Sequence, residues 1–164
     1  RRTYVLAGNY DAGPLHLGGG YLKGTDSSGF GDGAKQFGIR ALYEFGPMIF
    51  GAYYINDKID APGNVDLKRN TFRLAAQYNI GAGELHANVG IASKLKVSGT
   101  TQDGTGATQF TLGYNHNLSK RTKLYTFYTR ITNKENIAYT LGGGQSGVDG
   151  SDPSSFAVGV RHNF

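Results

Sequence analysis

A handful of isolated charges are the residues of this chain best suited to chemistry: the bases Arg40, Arg73, Lys94, Arg130 and Arg161, with Glu44 as the chief acid among them. They interrupt segments otherwise built of small, aromatic and amide residues, as in FGIRALYEF and TFRLAAQY. Separate fixed charges of this kind act through electrostatics: a surface lined with them attracts anions and raises their local concentration. The competing reading is that the same cations pair with acids supplied elsewhere in the fold. The histidines, His16, His86, His116 and His162, form no ligand pair of metal-binding spacing with Cys, Asp or Glu, so no metal site is expected. No residue is marked as a base held by a partner beside a nucleophile or water, so an enzyme is not expected. GAGE (Gly81–Glu84) and GGGQSG (Gly142–Gly147) precede no helical pattern and lack the Lys-Ser/Thr of a phosphate loop. DGTG and VDGSDP lack the spaced acidic ligands of a calcium loop and read as solvated loop tips. No cofactor is implied.

The segments that carry these charges alternate with period two from end to end. Tyr4, Leu6, Gly8, Tyr10 and Ala12 share one face of the first, and Leu15, Leu17, Gly19 and Tyr21 one face of the second. Phe37, Ile39, Ala41, Tyr43 and Phe45 oppose Gln36, Gly38, Arg40, Leu42 and Glu44. PMIFGAYYI is apolar on both faces, so its phase stays open. Phe72, Leu74, Ala76, Tyr78 and Ile80 oppose Arg73 and Gln77; Leu85, Ala87, Val89 and Ile91 oppose His86 and Asn88; Phe110, Leu112 and Tyr114 oppose Gln109 and Asn115. In KLYTFYTRIT, Tyr125, Phe127, Thr129 and Ile131 are assigned to the apolar face, which leaves Arg130 on the polar one. The last segment sets Phe156, Val158, Val160, His162 and Phe164 against Ser155, Ala157, Gly159, Arg161 and Asn163. The pattern predicts an all-β chain of about nine strands.

Composition agrees. Only 38% of the residues are hydrophobic and Gly is the commonest at 26, which leaves little aliphatic material for a thick interior. No apolar run is long enough for a transmembrane helix, and the apolar stretch in RRTYVLAGNY is too short for a signal peptide. The formal charge of +5 is scattered singly, with no basic run or helical basic face, so a nucleic-acid partner is not expected. The absence of Cys leaves the redox compartment open.

The connections come in two alternating sizes. Short ones fall at Ala12-Gly13-Pro14, Gly46-Pro47, Gly81-Ala82-Gly83 and Ser119-Lys120-Arg121-Thr122. Long ones, rich in Gly, Asp, Asn, Ser and Thr, run roughly Gly24 to Ala34, Asn56 to Asn70, Leu95 to Ala107 and Asn133 to Pro153. An outer-membrane barrel has this asymmetry, with tight periplasmic turns and long external loops. Tyr and Phe near strand ends suit the lipid interfaces, while the Gln, Asn, Thr, Gly and Arg faces belong next to water. A charge facing lipid at mid-depth costs about 2 to 4 kcal/mol, so the isolated bases are expected to face the interior.

The terminal GVRHNF looks like the insertion signal of outer-membrane barrels, and LGYNHNLSKRTKLYTFYTRITN (Leu112–Asn133) resembles the penultimate hairpin of trimeric general porins of the beta-proteobacterial type. The resemblance covers essentially the whole chain. It implies an antiparallel transmembrane β-barrel of about sixteen strands, of which residues 1–164 would be the C-terminal part of a single domain, with the N-terminal strands and constriction loop missing. It also implies a homotrimer in lipid and lipopolysaccharide, passing small hydrophilic solutes and ions. The C-terminus would be periplasmic and Arg1 external, with Arg40, Arg73, Lys94, Arg130, Arg161 and Glu44 lining the pore and Phe156, Val158, Val160 and Phe164 forming the assembly signal. From another class, a smaller barrel with a structural or adhesive role through its external loops remains open.

Overall fold

The computed structural model describes residues 2–25, 33–142 and 147–164; Arg1, part of the first long connection and Gly143–Ser146 of the glycine stretch lie outside the described residues. The strands are β1 (Arg2–Ala12), β2 (Leu15–Thr25), β3 (Gly33–Phe45), β4 (Met48–Ala61), β5 (Val65–Ile80), β6 (Gly83–Ala92), β7 (Lys96–Val97), β8 (Thr100–Thr101), β9 (Ala107–Asn117), β10 (Thr122–Asn133) and β11 (Ser154–His162). They form one antiparallel sheet in the order β1-β2-β3-β4-β5-β6-β9-β10-β11, with the small β7–β8 hairpin attached to β5. β1 and β11 are its two edges.

Local chemistry explains the short end of the sheet. Gly13, Gly46 and Gly81 all take φ of 56–57° in two-residue turns, and Gly at the first central position is the requirement of a type II′ hairpin, whose twist matches that of the strands. The fourth short connection is held by Leu118 and Ser119 N–H groups donating to the Thr122 carbonyl.

At the other end the structure corrects one expected loop. Asn56 to Asn70 is mostly strand: β4 and β5 stay paired from Met48↔Tyr78 to Ala61↔Val65 and turn only at residues 62–64. The alternation simply continues there with charged residues, Lys58 and Asp60 facing Lys68 and Asp66. Leu95 to Ala107 likewise contains the β7–β8 hairpin.

Residues opposite one another in a ladder share a face, so the register fixes every phase. One row runs Tyr10, Leu17, Ala41, Ala52, Leu74, Val89, Phe110 on successive strands. This settles β4, whose Met48, Phe50, Ala52 and Tyr54 join the apolar face. It also overturns the assignment made for β10. Arg130 lies opposite Phe110 and Ser154, and Tyr128 opposite Leu112 and Phe156, so Leu124, Thr126, Tyr128 and Arg130 are on the apolar face. Tyr125, Phe127, Thr129 and Ile131 turn to the polar one, where Tyr125 lies over Gly159, whose missing side chain leaves room for the ring.

Among the described residues no core lies beneath the apolar face. Leu6 is 76% exposed, Val158 71% and Phe156 69%, and a face so continuously apolar requires an apolar medium. The buried cluster among the described residues lies on the opposite face at the end of the long connections: Ala107, Ile131 and Ile137, flanked by Tyr139 and Leu141. The described part of the chain after β10, with Ile137, Tyr139 and Leu141, therefore folds back onto the sheet. Asn133 holds it, donating to the carbonyls of Tyr139 (3.0 Å) and Ser151 (2.6 Å) and accepting from the Tyr139 N–H (3.1 Å).

Candidate functional site: the polar face of the sheet

The polar face carries a basic row on β1 to β6. Asn9, Gly18, Arg40, Tyr53, Arg73 and Gly90 are successive ladder partners, continued on β9 by Gln109. Arg40 and Arg73 thus stand two strands apart with Tyr53 between them. Each guanidinium crosses a glycine: a Cβ on Gly18 would fall 2.6 Å from Arg40 Nε, and one on Gly90 3.0 Å from Arg73 Nε. Arg40 donates to Asn9 Oδ1 (3.1 Å). Arg73 donates to Gln109 Oε1 (2.8 Å) and Asn88 Oδ1 (3.4 Å) and lies 5.8 Å from the Tyr53 ring centroid. These partners are neutral, so they fix the cations in place without cancelling their charge.

Arg69, which the sequence reading passed over as loop, joins the same face from β5. It lies opposite Asp57, donates to the Thr105 carbonyl (2.9 Å) and to the Tyr139 hydroxyl, and sits 5.4 Å from that ring. It is the bolt between the sheet and the folded-back connection.

Acids gather at the end with the short turns. His16 Nδ1 is 2.6 Å from Asp11 Oδ1, and its Nε2 is 3.8 Å from Glu44 Oε1. Glu84 accepts from Asn115 and Asn117, both at 2.9 Å, and stands 3.8 Å from Lys123 and 3.3 Å from His86. Asp11 and Glu84 were missed as polar-face acids although the alternation held the signal: Asp11 is in phase with Asn9, and Glu84 with His86. Among the described residues no group of His, Cys, Asp and Glu has the arrangement of a metal site.

The remaining expected members of the lining separate. Arg161 is on the polar face opposite Lys123, near the short turn and away from the arginine row. Lys94 is not in the wall; it follows the end of β6 and pairs with Asp103 of the next connection, which raises the Lys94 pKa and lowers that of Asp103. Arg130, on the apolar face, is tolerated because it lies near the long-connection end of β10, where its guanidinium meets Asp152 at 2.9 Å. The cost of an outward charge falls steeply toward the membrane interface.

At the terminus, Phe156, Val158 and Val160 line up with Tyr128, Thr126 and Leu124 on the apolar face. The strand ends at His162, but the Asn163 N–H still donates to the Arg121 carbonyl (2.9 Å), and the Phe164 ring meets His162 edge-on at 4.9 Å.

Sequential antiparallel hairpins, an exposed apolar face on one side and a charged, hydrogen-bonded face on the other are the wall of a membrane-spanning β-barrel. The chain belongs to the Gram-negative porin family, whose sequence profile matches residues 1–136. It is 31% identical over 163 residues to outer membrane porin protein 32 of Delftia acidovorans, a match covering 94% of this chain and 44% of that protein. Its fold is similar to that of OmpT, an outer membrane protein of Vibrio cholerae in its trimer form, with TM-score 0.73 and 16% identity over 98% of this chain and 56% of that one. A refined porin structure superposes with TM-score 0.71 and 18% identity, over 99% of this chain and 51% of the other. The chain thus spans about half the length of the relatives it matches.

Proposed function

We propose that this chain is the C-terminal part of a single outer-membrane barrel of about sixteen strands, forming a water-filled, non-enzymatic diffusion channel for small hydrophilic solutes and ions that prefers anions. The observation that carries the preference is the pair Arg40 and Arg73 on the polar, lumenal face, held by amide oxygens of Asn9, Asn88 and Gln109 rather than by carboxylates. Two fixed cations on neutral supports leave a local positive potential in the lumen. In planar bilayers under a salt gradient, the full-length channel is expected to give an anion-selective reversal potential. Arg40→Gln with Arg73→Gln is expected to move it toward cation preference with assembly intact. An unchanged potential in dilute salt would show that acids from the rest of the barrel neutralise the pair.

The C-terminus would be periplasmic, and assembly would be homotrimeric, as in the Vibrio cholerae OmpT trimer form. The outward row Phe156, Val158 and Val160 on the edge strand offers the contact surface. Phe164 would close the assembly signal at the periplasmic lipid interface, its aromatic ring suited to that depth. Removing Phe164 alone is expected to lower the amount of assembled, heat-modifiable barrel in the outer membrane severalfold. Wild-type amounts of assembled protein would remove it from that role.

A further inference from the structure

The apolar face carries a second basic row that the channel reading does not use. Lys23 lies opposite Lys35, Lys35 opposite Lys58, Lys58 opposite Lys68, and Lys68 opposite Lys96. Lysine therefore occupies the same level on β2, β3, β4, β5 and β7, with neighbouring strands about 4.8 Å apart. Like charges directly opposite each other in a ladder destabilise it, and four such pairs in succession call for a compensating anion. The described residues supply only part of one. Asp60 and Asp66, one step further toward the long connections, engage Lys58 at 3.0 and 3.1 Å, and Asp60 lies 3.6 Å from Lys35. Among the described residues Lys23, Lys68 and Lys96 meet no carboxylate, and all are exposed.

The level of the row identifies its surroundings. One step toward the short turns the same face carries Tyr21, Phe37, Asn56 and Asn70, and the next step carries Ile39, Tyr54, Phe72 and Ile91. Apolar residues, then a mixed aromatic and amide level, then lysines: this is the sequence of environments met on leaving hydrocarbon for charged headgroups.

We propose that the row Lys23, Lys35, Lys58, Lys68 and Lys96 is a binding site for the phosphate groups of an outer-leaflet lipid headgroup, with the aromatic level beneath it against the acyl chains. The inference rests on the reading of this face as membrane-facing and gives the lipid partner a specific site. Flexible ammonium groups on consecutive strands suit a ligand bearing several phosphates, because each lysine acts as a movable point charge.

The test uses the full-length barrel in detergent, incubated with bisphosphorylated lipid A, with its dephosphorylated form or with inorganic pyrophosphate, and native mass spectrometry to count retained ligand. Wild-type protein is expected to retain bisphosphorylated lipid A and neither control. Lys23→Gln with Lys68→Gln and Lys96→Gln is expected to weaken retention about a hundredfold, since each lysine near an anionic surface contributes roughly fivefold. The corresponding three arginine substitutions are expected to restore it. Should the triple glutamine variant not fold, Lys68→Gln with Lys96→Gln gives the same reading at a smaller amplitude. Undiminished retention by the glutamine variants, or equal retention of dephosphorylated lipid A, overturns the proposal, and pyrophosphate bound as well as lipid A would make the row a soluble-anion site instead. Retention is read without conductance, so a barrel that holds lipid A but passes no ions would refute the channel and leave this site standing.

Discussion

Arginine and lysine occupy opposite faces of the same few strands, and the two rows handle charge differently. On the polar face, which we propose is lumenal, Arg40 and Arg73 are separated by Tyr53, lie across glycines and are fixed by amide oxygens. On the apolar face lysines stand on adjacent strands with no residue between them in the ladder, and among the described residues only Lys35 and Lys58 have carboxylates in reach, sharing Asp60. A planar guanidinium with directed donors can be held at one point of a wall, whereas an ammonium on a four-carbon stem follows whatever anion arrives. The first arrangement suits a potential that must persist while solutes pass. The second suits a mobile ligand that stays.

Charge reversal gives the comparison its hardest test. Arg40→Glu with Arg73→Glu is expected to invert the sign of ion selectivity, because it changes the fixed lumenal charge by about four elementary units where water screens least. Lys23→Glu with Lys68→Glu makes the same change on the outward face and is expected to leave the reversal potential where it was, since the barrel wall and lipid separate it from permeating ions. If both pairs shift selectivity equally, the two rows do not belong to different compartments.

The rows were unequally legible in the sequence, for a physical reason. Arg40 and Arg73 interrupt segments whose partner face is plainly apolar, FGIRALYEF and TFRLAAQY, so period two alone assigned their face. The lysines lie at the ends of the same segments, where Gly, Asp and Asn resemble loop composition, and the row exists only once five strands are in register. For β10, neither face is distinctly polar: Leu124 and Tyr128 compete with Tyr125, Phe127 and Ile131. The assumption that an arginine must avoid lipid then chose the wrong phase, because it ignored depth and the acid two residues before β11. The fold class, the short turns and most strand faces required no such choice. The folded-back connection was invisible, since Arg69 lies 70 residues from its partner Tyr139 and the local anchor Asn133 is an ordinary loop residue by type.

Arg130 gives the smallest effect and the finest distinction. It is an isolated arginine in an alternating strand, like Arg73, but it faces outward and its charge is met by Asp152. Arg130→Gln is therefore expected to leave the reversal potential unchanged, where Arg73→Gln shifts it. The loss should instead appear in the connection between β10 and β11. Arg130, and then the Asn133 N–H, hold the Asp152 carboxyl below its ordinary pKa. A depressed carboxyl pKa contributes stability that is present above the unfolded value of about 3.9 and is lost as pH falls through the lower folded value. Protease cleavage within residues 134–153 should accordingly be slow and nearly constant from neutral pH down to about 4, and should rise only below that. Asp152→Asn removes the titrating group, so its cleavage rate should be modestly higher at neutral pH and flat through the acid range. A wild-type acid transition that survives in Asp152→Asn would assign the pH response to another carboxyl, and a reversal potential that moves with Arg130→Gln would return that arginine to the lumen.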